Sequence, residues 1–171
     1  MLKPSEHPAP EPWLRGTLTE LPPVPRAVLH ALEQAKEDLR KWCFPLSENQ
    51  LNASLADVAA VAFHLRHIAR SLDRLLTYAE GHHLSQHQLD ALKPGLASDA
   101  THAQLFAELE AALNRSADRI RALASADLQA PRAVGKKQLP STLGGLLVHI
   151  AKHTQRHVGQ AITTAKIVAA H

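Results

Sequence analysis

Residues 54–81 read SLADVAAVAFHLRHIARSLDRLLTYAEG, and this stretch decides the fold. It contains no proline, and Val58, Val61, Leu65, Ile68, Leu72, Leu75 and Leu76 recur at the three-and-four spacing of one helical face. Ser54-x-x-Asp57 resembles a capping box at its start, and Gly81 is a natural stop at its end. A second stripe, Ala60, Phe63, His67, Ser71, Arg74 and Tyr78, has helical spacing too. A helix with two such stripes is expected to be buried on two sides, with a pocket along the second stripe or with that stripe set against a copy of itself in a homodimer.

Working outward, prolines divide the rest of the chain. Proline-free intervals after Pro25, Pro45, Pro94 and Pro140 each carry an apolar repeat of helical period, which predicts four helices. The first is expected from about Val24 to Cys43, with Val28, Leu29, Leu32, Ala35 and Leu39 on its stripe. The third starts at Thr101-x-x-Gln104 and turns Leu105, Leu109, Leu113, Ile120 and Leu123 inward, leaving Glu108, Arg115, Asp118 and Arg119 to water. The fourth follows Pro140 and Ser141, runs towards Val168, and presents Leu143, Leu146, Leu147, Ile150, Val158 and Ala161 to the core. The expected organisation is an extended proline-rich arm over residues 1–23, with Pro4, Pro8, Pro10 and Pro12, then one all-α bundle over residues 24–171.

Composition agrees and narrows the function classes. Apolar residues make up 45% and aromatics 4% of the chain, which suits closely packed helices better than a sheet sandwich. Cys43 is the sole cysteine, so no intramolecular disulfide forms. Met1 is followed by no secretion-like run, and no apolar stretch approaches the ~20 residues of a membrane span, so a soluble cytoplasmic protein is expected. The +3 charge is scattered and only six residues are aromatic, which speaks against a nucleic-acid partner.

Twelve histidines are many for 171 residues. His149, His153 and His157 place three imidazoles about 6 Å apart per step along the fourth helix, a row that can chelate. Chance alone supplies about one four-residue pair, and His83 with His87 is taken as that accident. On the fourth helix His157 falls on the inward face, His153 on its edge and His149 further round. A lone buried histidine is more often satisfied by water or a carbonyl, but two at ligand spacing favour a metal. Periodicity leaves the partner on the second helix open: His64 lies near an edge of the main apolar face, whereas His67 sits almost opposite, on the second stripe.

At these residues the chain resembles the DinB-like superfamily, which includes the YfiT-like proteins. The likeness rests on His67-Ile68-Ala69-Arg70-Ser71 and on His153-Thr154-Gln155-Arg156-His157-Val158-Gly159-Gln160, which looks like the family's H-x-x-x-H-x-G-Q ending. It extends from about Pro25 to Val168. The resemblance implies an up-and-down-type four-helix bundle with a metal held by His67, His153 and His157, and makes His64 and His149 rings that flank the ligands or support them from behind. It also implies a metal-assisted enzyme acting on a small molecule, since known family activities include transfer and isomerisation with low-molecular-weight thiols, and many members are described as metal-dependent hydrolases.

Three neutral imidazoles suit zinc, and also nickel or iron, and leave a position for water, thiol or substrate. A zincin protease would need a glutamate after the first histidine, where Thr154 and Ile150 stand instead. A di-iron site would need two Glu-x-x-His motifs, and Glu80-x-x-His83 straddles Gly81. Arg74, on the His67 stripe, is a candidate holder of an anionic substrate, against a plain ion pair with Asp73 or a glutamate. The competing expectation is a non-catalytic bundle in which the ion only pins two helices together, closed by His64 or His149 as a fourth ligand.

Overall fold

The computed structural model describes residues 9–55, 57–91 and 100–170. Pro4, Pro8 and Pro94, used above as punctuation, lie outside the described residues. Among the described residues there are six α-helices and one short hairpin: α1 (Pro23–Trp42), α2 (Glu48–Asn52), α3 (Val61–Ala79), α4 (Gln86–Asp90), α5 (His102–Ala122), β1 (Pro131–Val134), β2 (Leu139–Thr142) and α6 (Leu143–Ala169). The class is all-α, as expected, and α1, α3, α5 and α6 are the long elements.

These four pack in a ring in which α3 and α1 each touch both α5 and α6. The main apolar face of α3 is buried against α5 and α6, whereas on the second stripe Ser71 is buried and Phe63 is 42% exposed. The core between them is aliphatic, with Leu39, Leu65, Ile68, Leu72, Leu76, Ile120, Leu147 and Ile150 almost fully buried. Every predicted inward apolar residue of α6, from Leu143 to Ala161, is buried, and His157 is half-buried.

Helix starts follow their local chemistry. Pro23 and Pro25 open α1, where the first amides have no intrahelical acceptor and a missing N–H costs nothing. Thr101 and Gln104 form the expected reciprocal cap of α5, as Ser47 with Gln50 and Ser85 with Gln88 do for α2 and α4. In each, the glutamine Oε1 accepts from the cap residue's own backbone N–H at 2.9–3.0 Å. Ser54-x-x-Asp57 does not cap a helix: α3 begins seven residues later, at Val61. Asp57 is one methylene shorter than the glutamines that close the other boxes, and the chain around it forms a tight turn, with Val58 N–H donating to Leu55 O at 2.9 Å. Val58 consequently leaves the apolar face and is 44% exposed. At its other end α3 stops as predicted: Gly81 adopts φ 84°, and the amides of Gly81 and His82 bond back to Tyr78 and Thr77.

Two further differences concern α5 and α6. Arg119 and Glu108 do not simply face water. Arg119 donates to both oxygens of Glu80 at 2.6 and 2.7 Å and to Asp73 at 2.9 Å, clamping α5 to α3, while Glu108 pairs with Arg70 at 3.3 Å. The hairpin ahead of α6 was not anticipated, and it sets the helix in place. Leu143 and Gly144 donate to Ala130 O and Leu128 O, and the Thr142 side chain caps Gly145. Residues 12–18 of the arm lie along α1, where Arg15 grips both oxygens of Glu37 at 2.6 and 2.7 Å.

Candidate metal centre

Two helices build the site. On α3, His64 and His67 lie one turn apart on the side that meets α6, and on α6 His153 and His157 lie one turn apart on the side that meets α3. The Nε2 atoms of His67 and His153 are 3.0 Å apart, and the ring centroids of His67 and His157 are 4.2 Å apart. One ring nitrogen from each of His67, His153 and His157 lies within 4.8 Å of the other two. His64 does not belong to that converging set, but its Nδ1 is 3.2 Å from Nδ1 of His157. His149 stacks on His153 at 5.5 Å, one turn away from the centre. His83 and His87 are exposed and do not belong to the converging set.

The rings are kept uncharged. Burial, helped by mutual repulsion with the neighbouring imidazoles, lowers His64, His67 and His153 to about 4, and burial likewise lowers His157. At neutral pH each ring therefore offers a lone pair, which is the protonation state a metal ligand needs. The spacing suits an ion as well. A tetrahedral centre with bonds of about 2.0–2.1 Å holds its nitrogens about 3.3 Å apart, and the observed separations, from 3.0 Å to no more than 4.8 Å, bracket that value. An all-imidazole set suits zinc, nickel or iron better than calcium or magnesium, which prefer oxygen.

Phe63 braces the α3 half of the centre, stacking on His67 at 5.5 Å and meeting His64 edge-on at 5.4 Å. Arg74 lies two turns further along α3, half-buried. It donates to Ser71 Oγ at 3.1 Å and to Arg70 O at 3.4 Å, and among the described residues it forms no ion pair. Burial lowers its pKa, and its charge is one of the groups that push His67 and His153 down. The partner proposed for it from sequence, Asp73, acts on Arg74 through its charge, but its carboxylate is paired with Arg119. Arg74 also lines a cavity of about 410 Å³ between α3, α4 and α5, together with Arg70, Asp73, Glu108 and Arg115. The Ser71–Arg74 bond was not anticipated, although its signal was present in two polar residues three apart on the His67 stripe.

A family comparison matches the DinB superfamily over residues 31–161, a span that contains all four of these histidines. The chain belongs to the DinB superfamily. The match covers well over half of the chain and takes in α3, α5 and most of α1 and α6, so DinB membership and the helical architecture agree. Compared with curated proteins, the chain has no significant match. Among the described residues, no helix is long and apolar enough to cross a membrane.

Proposed function

We propose that this DinB-superfamily protein is a metal-dependent enzyme acting on a small molecule, by thiol-dependent transfer or by hydrolysis, with His67, His153 and His157 holding one divalent ion. The observation that carries the proposal is the convergence of three neutral ring nitrogens from two helices within 4.8 Å, with no fourth member of the set among the described residues. Three ligands leave an open position, the arrangement of catalytic rather than structural sites. His67, His153 and His157 would hold a divalent ion, zinc in the first instance and nickel or iron by the same donor chemistry, which would supply Lewis acidity towards water or a low-molecular-weight thiol.

The chain's own residues do the rest. Phe63 and the aliphatic core hold the imidazoles in place and limit water on one side. Arg74, whose guanidinium is free of ion pairs among the described residues, binds an anionic group of the substrate between the histidines and the α3–α5 cavity. A cytoplasmic setting and the lack of a nucleic-acid partner belong to the same proposal.

A second reading is favoured by the closeness of His64 to His157: an ion that only pins α3 to α6, closed by a fourth imidazole. Screening the zinc-loaded protein with small thiols and electrophilic acceptors, and with esters, tests catalysis, with His67→Ala and His153→Ala as controls. Turnover that depends on both histidines supports the enzyme. A flat screen, with loss of metal collapsing the melting temperature, supports the pin instead.

A further inference from the structure

We propose that His64 is a positioning residue for His157, accepting the Nδ1–H of that ring so that its Nε2 is presented as a lone pair towards His67 and His153. The inference rests on the proposed metal site and adds to it the residue that sets the tautomer of one ligand.

The geometry carries the argument. His64 Nδ1 and His157 Nδ1 are 3.2 Å apart, with ring centroids at 5.4 Å. A bond between two imidazole nitrogens requires a hydrogen on one and a lone pair on the other, and a neutral ring has only one N–H. Two assignments follow. If His64 donates, the hydrogen of His157 sits on Nε2 and that nitrogen cannot coordinate. If His157 donates, its Nε2 is free. With Nδ1 engaged by His64, Nε2 is the nitrogen left to His157 for the centre, so only the second assignment is competent to bind.

His64 is suited to impose it. Its ring is 5% exposed, lies one turn before His67 on the same side of α3, and is packed edge-on by Phe63. Its nearest nitrogen is spent on His157, and it stands outside the set of nitrogens that converge on the centre. Partners that orient a ligating imidazole in this way typically contribute about 10–100-fold in metal affinity.

The test uses the full chain with zinc and cobalt as probes. His64→Leu fills the volume without an acceptor, whereas His64→Asn places an amide oxygen near the position of Nδ1. Zinc affinity is measured by competition with a chromophoric chelator, the coordination set by the cobalt d–d spectrum, and the tautomer of His157 by ring-nitrogen NMR of the zinc-loaded wild type. The expected result is a 10–100-fold weaker affinity in His64→Leu with one ion per chain and an unchanged cobalt spectrum, recovery to within a few-fold in His64→Asn, and a hydrogen on Nδ1 of His157. The proposal is overturned if His64→Leu binds zinc as the wild type does. It is equally overturned if the cobalt spectrum reports a changed coordination set, or if His157 carries its hydrogen on Nε2. Should His64→Leu fail to fold, the asparagine variant and the wild-type NMR decide. Wild-type protein that binds no zinc sinks the metal site itself, whereas loss of binding in His67→Ala beside unaltered His64→Leu sinks only the role of His64.

Discussion

Zinc binding at pH 6.0 should release almost no protons from His67 and His153. An imidazole with the ordinary pKa of about 6.5 is about three-quarters protonated at that pH, so two such ligands would together shed about 1.5 protons on coordination. His67 and His153 are held at about 4 by burial and by their neighbours, which leaves each only about 1% protonated at pH 6.0 and predicts a release of about 0.02. His157 is shifted in the same direction by burial. A coordinated water with a pKa near 7 would add about 0.1. Titration calorimetry in two buffers of different ionisation enthalpy counts the protons, and the heat itself reports that zinc has bound. His67, His153 and the water together account for about 0.1, and His157, lowered by burial, adds less than the roughly three-quarters of a proton of an ordinary ring, so a count below one is expected. More than one proton released per zinc would mean that the rings are charged before binding, and the burial argument would fail.

The same shifts make the metal-free protein acid-sensitive in a defined window. The folded values lie below the unfolded ones, so the unfolded chain takes up protons first. The histidine contribution to stability is intact above about 6.5, is lost as pH falls towards 4, and is flat below that. Thermal melts of metal-free wild type against a His64→Leu variant should show the variant losing less stability across that interval. Glycine substitutions on α6 should part in sign. A Cβ at Gly144 would come within 3.1 Å of Leu128 O, a backbone atom that cannot easily yield, so Gly144→Ala should destabilise by about 1 kcal/mol despite its better helix propensity. Gly159 has nothing within 4 Å of that position, so Gly159→Ala should stabilise by up to about 1 kcal/mol, both read by urea denaturation. Arg74→Leu should leave zinc content unchanged while raising KM for anionic substrates at least tenfold more than for neutral ones, measured on whichever acceptor the thiol screen identifies.

Much of the architecture was legible because it is written in residues that act locally. Thr101 with Gln104 capped α5 where expected, Gly81 ended α3, and the inward residues of α6 follow a plain helical period. The start of α3 misled because Ser54 and Asp57 mimic a cap that a shorter acid does not close, and the local turn at Leu55 to Val58 competes successfully. The hairpin of Pro131–Val134 with Leu139–Thr142 was hidden because its two strands are four residues each and carry prolines that otherwise punctuate helices. At the centre, the H-x-x-x-H row of α6 was visible in the sequence, but the choice between His64 and His67 was not. Periodicity places His64 at the edge of the buried face and His67 beyond it, yet both rings reach α6 from neighbouring turns. Long-range clamps such as Arg119 to Glu80 and Asp73 depend on tertiary placement and left no trace in spacing.

The most direct measurement is anomalous diffraction at the zinc edge from crystals of the full chain grown with one equivalent of zinc. One peak is predicted, about 2.0–2.1 Å from a ring nitrogen of each of His67, His153 and His157. A map with no peak between α3 and α6, or with zinc held instead by the exposed histidines His82, His83 and His87, would contradict the account.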